Sequence, residues 1–323
     1  SKLLAGQTNQ SANGLYRDPT DLLWIFNHKN GISLLGPASN IFDYTALPAA
    51  GCRNALINEP QDFAWNSNWQ ELYVVTTGCQ GLYVYEPVQR TEPVQLSGQS
   101  PYRLKYAVGP PGGADFQRVL IDQRGQVWIG GQPDRSGYSL YHYLPERRRL
   151  TPFNHPDAAA LQHFPVNDLA EDLSGNIWVA TTRGGLFRID FQKNKIDHFI
   201  RGGAFEGERT QIVDLVCRNE PGSAEAQIWF STKEAGVFCF YPNQNKFIRY
   251  GHQPGAATGL AEDYVTAVEQ GAGNSVWVGT ASRGLHHIPA GAPADSRFPH
   301  YSVKDGLAFN SIHRLALSPD GQL

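Results

Sequence analysis

Four cationic side chains stand in short turns of this sequence, and each turn follows an apolar run that contains an aromatic residue. They are Arg135, Arg183, Lys233 and Arg283. A guanidinium group can donate two parallel hydrogen bonds to a carboxylate, whereas an ammonium group acts as a point charge. On one common face, these side chains would form a ring of donors for an acidic or hydroxyl-rich ligand. The alternative is that they are solvated turn residues, a common role of Lys and Arg.

Other polar and aromatic residues in neighbouring loops extend this candidate ligand-binding set. An aromatic face beside polar groups suits a sugar ring, although the same residues also serve as ordinary loop anchors. The full set comprises His28, Lys29, Arg135, Arg183, Lys233, Arg283, His163, Tyr264 and Asn310.

The ten histidines show no spacing typical of a metal or catalytic site. His286 and His287 are adjacent in a predicted strand, so they face opposite ways and cannot bind one ion together. His155 and His163 match no defined metal site. The sequence also lacks the common serine-nucleophile, zinc-protease, EF-hand, phosphate-loop and C-x-x-C motifs. We therefore predict no catalytic residue, no metal ligand and no cofactor.

The four cysteines indicate free thiols more than a disulfide framework. Cys217 and Cys239 fall in the first and third strands of one predicted sheet, so their backbones should be roughly 10 Å apart, too far for a disulfide. Cys52 and Cys79 fall on predicted loops, where a disulfide could form in an oxidising compartment.

The stretch VNDLAEDLSGNIWVATTRGGLFRID is typical of short antiparallel strands joined by tight turns. Asp and Gly in DLSG suit a hairpin turn, because Asp can bond its own backbone and Gly tolerates positive φ. The predicted strands are Val166–Glu171, Ile177–Ala180, Leu186–Ile189 and Lys195–Ile200.

This unit recurs along the chain with one aromatic residue at a fixed place in its second strand. The aligned positions are Trp24, Tyr73, Trp128, Trp178, Trp229 and Trp277, separated by 49, 55, 50, 51 and 48 residues. A period near 50 built from four short strands predicts an all-β fold, a β-propeller of four-stranded antiparallel blades. Stacking of the blades buries the repeated aromatic residues.

Six blades are recognisable, and the segment Ile312–Leu317 with the turn at Asp320 predicts the first strand of a seventh. We therefore expect the natural protein to continue. The alternative is a six-bladed ring that this segment closes. The predicted limits are an N-terminal flank at 1–12 and blades near 13–55, 56–112, 113–160, 161–207, 208–258 and 259–305, with the next blade starting at 306–323.

Composition narrows the class of partner. The chain has 323 residues, 33 Gly, 21 Pro, 18% charged residues and a net charge of −3. The sequence has no broad basic stripe, so nucleic acid is not an expected partner. The basic run at 147–149 is predicted to be a solvated turn.

No apolar run approaches the ~18 residues that span a bilayer. The sequence has no Met and no signal peptide, so we expect membrane attachment only through parts outside it.

Two motifs, IWVATTRGGLFRID and YSVKDGLAFNSIHRLALSPDGQL, resemble the two-component regulator propeller repeats. Such repeats form the periplasmic sensor region of hybrid histidine kinases, chiefly in Bacteroidetes. The resemblance extends over the whole chain, strongest over 160–323 and weakest over 45–115. It implies a sensor that binds a breakdown product of a complex glycan and signals through a linker domain and a membrane helix to a kinase.

The first functional hypothesis is therefore a non-catalytic, periplasmic, ligand-sensing propeller. Its expected partners are a small carbohydrate, the remaining blades and linker domain of the same protein, and in some cases a second copy of the chain. One alternative is a propeller lyase or hydrolase acting on a carbohydrate or lactone. A second alternative is a protein-binding scaffold, which a broad apolar patch on one face would favour.

Overall fold

The structure is a computed structural model. It describes residues 12–17, 23–27, 31–35, 42–45, 59–77, 81–88, 102–202, 205–206, 210–219 and 226–316. The chain divides into two compact units, Ser1–Phe153 and Asn154–Leu323.

The first unit contains three four-stranded antiparallel sheets, which we call blades one to three. Blade one consists of β1 (Ala12–Arg17), β2 (Leu23–Asn27), β3 (Gly31–Leu35) and β4 (Phe42–Thr45). Blade two consists of β5 (Glu59–Asn66), β6 (Glu71–Thr77), β7 (Leu82–Pro87) and β8 (Tyr102–Val108). Blade three consists of β9 (Phe116–Ile121), β10 (Val127–Gly131), β11 (Leu140–Leu144) and β12 (Arg149–Pro152).

The second unit contains blades four to six and a two-stranded ribbon. Blade four consists of β13 (Val166–Glu171), β14 (Ile177–Thr181), β15 (Leu186–Asp190) and β16 (Lys195–Phe199). The ribbon pairs β17 (Arg201–Gly202) with β18 (Phe205–Glu206). Blade five consists of β19 (Ile212–Asn219), β20 (Ala226–Thr232), β21 (Val237–Tyr241) and β22 (Lys246–Tyr250). Blade six consists of β23 (Val265–Gln270), β24 (Val276–Thr280), β25 (Leu285–Ile288) and β26 (His300–Tyr301).

Short 3-10 helices lie in the connections. They are Pro111–Gly113, Pro145–Arg147, Pro156–Ala160, Pro242–Gln244, Ala272–Asn274 and Val303–Asp305. None of the helices in the described ranges is long and apolar enough to cross a bilayer.

The prediction of a β-propeller fold built from four-stranded blades is confirmed. Each blade is a meander in which consecutive strands pair. The four strands predicted for blade four agree with the observed strands to within one residue at each end. First strands of successive blades pack together within each unit, as β13 does with β19 and β19 does with β23.

A buried aspartate in the first hairpin positions the repeated tryptophan. The Trp178 side chain is fully buried, and its indole N–H donates to Asp172 at 2.9 Å. Asp172 also accepts from the backbone N–H groups of Ser174 and Asn176, at 2.9 and 3.0 Å. Blade three repeats the bond from Trp128 to Asp122 at 3.1 Å. One carboxylate therefore holds the turn and orients the core aromatic residue.

The first strand of each blade contains a bulge, and in blade four the residues at the bulge contact the next blade. In blade four the bulge falls at Asn167, between Val166 and Asp168, and Asn167 Nδ2 donates to the Ile212 carbonyl at 2.6 Å. The next side chain, Asp168, accepts from the Leu215 N–H at 2.7 Å. Polar side chains of one blade thus satisfy backbone groups of the next, which fixes the register between blades.

The segment that predicts a seventh blade does not form a strand over residues 311–316, which corrects the prediction of a first strand there. The segment nevertheless follows blade six as a first strand would. The Ile312 N–H donates to the Thr280 carbonyl at 3.0 Å, and Arg314 Nη1 donates to Asp214 at 2.8 Å. A strand needs a neighbouring strand to pair with, and residues 311–316 have none among the described residues. Residues 317–323 lie outside the described residues.

Cys217 lies in β19 and Cys239 lies in β21, with β20 between them as predicted, and the two residues are not joined by a disulfide. The pKa of the Cys217 thiol is raised well above its usual value, and burial is the largest cause of this shift. Cys52 and Cys79 lie outside the described residues.

The basic run at 147–149 is exposed around a 3-10 turn, as predicted.

Candidate ligand-binding site

The turns between second and third strands are held by a buried threonine in blades four to six. The hydroxyl groups of Thr181, Thr232 and Thr280 donate to the carbonyl of the glycine four residues later at 2.7, 2.7 and 2.8 Å. All three threonines are fully buried. The sequence contains this Thr-x-x-x-Gly spacing, and it is the signal from which the bond could have been predicted.

These turns meet the connections between blades at one end of the sheets. The Thr182 N–H donates to the Pro165 carbonyl at 3.0 Å, and the Ala281 N–H donates to the Tyr264 carbonyl at 3.0 Å. The Lys233 N–H likewise donates to the Gln211 carbonyl at 3.1 Å. We call this surface the loop face of the second unit. It comprises the turns 181–185, 232–236 and 280–284 together with the connecting residues 163–165, 210–211, 262–264 and 310.

Three predicted cations lie on the loop face, one from each blade. Arg183, Lys233 and Arg283 are exposed. Arg183 is the third residue of its turn, Lys233 is the second and Arg283 is the fourth. The three side chains therefore start from different positions within their turns. Across the described ranges, the structure records no ion pair for any of these three side chains. Their charges are therefore available to a ligand.

The loop face also has an aromatic surface beside a cation. Tyr264 is 39% exposed, and Lys233 Nζ lies 5.5 Å from the centre of its ring. A cation placed over an aromatic face is attracted to the negative face of the ring. The predicted residues Lys233 and Tyr264 are thus brought together by the fold, from blade five and from the connection to blade six.

Acidic residues on this face hold the backbone. Glu262 accepts from the N–H groups of Ser282 and Arg283, at 2.5 and 2.9 Å. Asp263 accepts from the His252 N–H at 2.7 Å and from the guanidinium group of Arg249 at 2.8 Å. The role of Glu262 was not predicted from the sequence, because its partners lie about 20 residues further along the chain.

The other predicted site residues are placed differently. Arg135 is exposed in the first unit, in a turn that Asp134 holds by accepting from the Ser136 N–H at 2.7 Å. His163 is exposed, with φ of +71°. The Asn310 side chain accepts from the Val303 N–H at 2.9 Å, so it holds a loop. His28 and Lys29 lie outside the described residues.

The two adjacent histidines of blade six face opposite ways, as predicted. His286 is buried and stacks on His300, with ring centres 4.3 Å apart. His287 packs against Trp277, with ring centres 4.4 Å apart. The part of the chain that the structure describes contains no group of three His, Cys, Asp or Glu side chains placed to hold a metal ion.

The fold and the loop face define a β-propeller whose blade connections and turns form a polar surface. No protein-family model matches the chain, and no curated protein does either. Solved structures do resemble it, and the three described next share 14–16% sequence identity with it.

One similar structure is the extracellular domain of the putative hybrid two-component system BT4673 from B. thetaiotaomicron. The TM-score is 0.66 at 16% identity, over 98% of this chain and 37% of that chain. The extracellular domain of BT3049, a putative hybrid two-component system from the same organism, gives 0.57 at 16% identity, over 92% and 41%. The WD40 repeats of RRP9 give 0.62 at 14% identity, over 98% and 86%.

At such identities the likeness is one of fold. The resemblance to the propellers of two-component sensors, inferred from the sequence motifs, is confirmed at this level. The chain spans about two fifths of the length of the two extracellular domains.

Proposed function

We propose that this chain is part of a ligand-sensing, extracytoplasmic propeller of a two-component signalling protein, and that it recognises a glycan-derived oligosaccharide. The ligand binds on the loop face of the second unit. The chain itself performs no chemistry on the ligand. The periplasm is the proposed location, and a linker domain and a histidine kinase are the proposed downstream parts.

The observation that carries the proposal is a set of three exposed cations that form no ion pair among the described residues, one of which lies beside an aromatic ring. Arg183, Lys233 and Arg283 are exposed on consecutive blades, and Tyr264 presents a ring next to Lys233. Guanidinium groups can bind the carboxylates or hydroxyl groups of a sugar, and an aromatic face packs on the apolar face of a sugar ring. The fold likeness to extracellular domains of two-component systems supports the same function.

The signal would arise from differential binding. A ligand that contacts turns of several blades favours whichever arrangement of those blades, or of a second subunit, gives it the most contacts. At saturation, the ligand changes the free-energy difference between the two arrangements by the difference between its binding free energies to them. A difference of about 3 kcal/mol changes the ratio of the two states more than a hundredfold.

A thermal-shift screen against neutral and acidic oligosaccharides tests the proposal, with analysis of the sugars recovered from the same mixtures. A ligand that binds only the folded protein raises the melting temperature. We expect a saturable rise with an oligosaccharide that is recovered intact. In the double variant Lys233→Gln, Arg283→Gln we expect at least tenfold weaker binding.

Arg147→Gln is the control, because it removes one exposed cation from the first unit. It should bind the sugar as the unchanged protein does. Equal weakening in this control would indicate a general charge effect and would contradict the loop-face site. Cleavage of the sugar would overturn the sensor proposal and favour a carbohydrate lyase or hydrolase.

A further inference from the structure

The guanidinium group of Arg249 joins two loops of the loop face. Arg249 lies in β22, the outer strand of blade five. Its Nε donates to the Ala235 carbonyl at 2.8 Å, and its Nη2 donates to Asp263 Oδ1 at 2.8 Å. Ala235 belongs to the turn 232–236, whereas Asp263 belongs to the connection that leads into blade six. One side chain is therefore bonded to both loops at once.

The two bonded residues adjoin the side chains of the proposed ligand surface. Ala235 follows Lys233 by two positions, and Asp263 directly precedes Tyr264. Lys233 Nζ lies 5.5 Å from the centre of the Tyr264 ring. The cation and the ring come from different loops, so the distance between them depends on how firmly those loops are joined.

Asp263 adds further hydrogen bonds to the same junction. Its Oδ1 also accepts from the His252 N–H at 2.7 Å, and its carbonyl accepts from the Gly236 N–H at 2.9 Å. The side chains of Arg249 and Asp263 are 35% and 32% exposed. Ion pairs with this exposure contribute little to global stability. We therefore expect the pair to affect the geometry of the two loops more than the stability of the fold.

The same position of the outer strand carries a histidine in blades four and six. His198 and His300 occupy the place in their strand ladders that Arg249 occupies in blade five. The His198 ring bonds to the Gly184 carbonyl at 2.7 Å, and the His300 ring bonds to the Arg283 carbonyl. Each histidine thus holds the turn of its own blade. The arginine of blade five holds its turn and reaches the next connection as well.

Gly251 leaves the space that this ion pair occupies. A Cβ at Gly251 would lie 2.5 Å from Nη2 of Arg249 and 2.8 Å from Oδ1 of Asp263. Gly251 is not among the glycines with positive φ, so the backbone conformation does not require glycine there. The close approach of the ion pair explains this glycine. It also offers a steric way to displace the guanidinium group without changing either charged residue.

We propose that Arg249 is a positioning residue of the loop face, because it fixes the distance between Lys233 and Tyr264. Its guanidinium group joins the turn that carries the cation to the connection that carries the ring. Groups that are held in place before binding lose less conformational entropy when a ligand binds. The effect on sugar binding rests on the proposed function, whereas the positioning itself can be measured without a sugar.

NMR of the protein without added sugar measures the positioning. A proton above an aromatic ring is shielded, so the ε-methylene protons of Lys233 should resonate upfield of their position in the variant Tyr264→Leu. Arg249→His offers the turn carbonyl a donor, as the histidines of blades four and six do, but removes the bond to the connection. We expect this variant to lose more than half of the upfield displacement. Gly251→Ala should do the same, because its methyl group displaces the guanidinium group.

Two control variants match these changes in the first unit. Arg103→His removes an exposed arginine that pairs with Glu86, and Gly109→Ala adds a methyl group where nothing lies within 4 Å. Both should keep the full displacement, and melting curves check that every variant is folded.

The proposal is overturned if Arg249→His or Gly251→Ala keeps at least half of the displacement while folded. It is also overturned if the controls lose as much, or if Tyr264→Leu leaves the Lys233 signals unchanged.

Binding of trigalacturonate, an acidic trisaccharide, tests the consequence for the loop face. We expect Arg249→His to weaken its binding at least tenfold, although Lys233 and Tyr264 are unchanged. Equal binding by the two proteins would overturn the role of Arg249 in recognition. If the unchanged protein binds neither this probe nor any other oligosaccharide, the proposed function fails, and the displacement of the Lys233 signals still decides whether Arg249 positions the two loops.

Discussion

Individual polar side chains in this protein are specialised by burial. Asp172 is 4% exposed and holds both its turn and the indole of Trp178. His286 is buried as a neutral ring, and burial, with the nearby His300 as a second cause, lowers its pKa to about 3. Arg183 and Lys233 remain exposed, and neither forms an ion pair with another described residue. Residue type alone does not distinguish these roles, since the same types also occur as solvated turn residues.

The low pKa of His286 predicts a loss of stability in mild acid. Above pH 6.5 the ring is neutral in both the folded and the unfolded chain, so it contributes no pH dependence. Below pH 6.5 the unfolded chain binds a proton that the folded chain excludes until the pH approaches 3. The free energy of unfolding should therefore fall by about 1.4 kcal/mol per pH unit from this group.

Urea unfolding at several pH values between 7.5 and 5.0 measures this effect, with His286→Gln as the comparison. All other titrating groups are shared, so they cancel in the difference between the two proteins. At pH 5.0 the unchanged protein should have lost about 2 kcal/mol more than the variant, relative to pH 7.5. Parallel pH profiles would show that the folded state accepts the proton on His286.

At the scale of a single turn, the backbone is fixed by a threonine bond and a glycine with positive φ. In blade five, Thr232 donates to the Gly236 carbonyl at 2.7 Å, and Gly236 has φ of +82°. A Cβ at this glycine would come within 2.3 Å of the Tyr250 carbonyl oxygen. The turn therefore needs glycine both for its φ and for the close approach of the outer strand.

Substitution of two glycines separates these effects. Gly255 has φ of +80°, but a Cβ there would meet nothing within 4 Å. We expect Gly255→Ala to lower the free energy of unfolding by about 1 kcal/mol, the cost of positive φ alone. Gly236→Ala should cost about 3 kcal/mol, because the outer strand must also move. Equal losses in chemical denaturation would show that the turn of blade five can relax around a methyl group.

At the scale of the whole molecule, stability depends on contacts between successive repeats. Within the second unit, Asp168 of blade four binds the Leu215 backbone of blade five, and Asp214 binds the Val268 backbone of blade six at 2.8 Å. Each link joins residues about 50 positions apart, one repeat length. In a repeat fold such nearest-neighbour terms carry much of the stability.

Removal of the Asp168 link should destabilise the protein. Asp168→Ala leaves the Leu215 N–H buried without its acceptor, which costs about 1–3 kcal/mol. Asp168→Asn keeps a carbonyl oxygen as acceptor and should cost less. Chemical denaturation of both variants measures the difference. A fully stable Asp168→Ala variant would contradict a role for this carboxylate between blades.

Much of the fold was predictable, whereas little of the candidate site was. The repeat of Trp128, Trp178, Trp229 and Trp277 and the strand limits of blade four were correct, because strand pattern and turn chemistry are local properties of the sequence. The role of Glu262 and the bonds of Arg249 to two loops were not predicted. Those side chains join different loops, and no local pattern records which loops the propeller brings together.

Four-stranded blades with a period near 50 residues follow from the amino-acid sequence, since each blade carries its own strands, turns and core aromatic residue. The pairing of polar groups, in contrast, depends on the tertiary structure. The tertiary structure places Lys233 beside Tyr264 and pairs Glu262 and Asp263 with backbone N–H groups. It also leaves Nδ1 of His286 without an acceptor among the described residues. The physical reason is that burial and hydrogen-bond satisfaction depend on distant segments, whereas strand formation depends mainly on near neighbours.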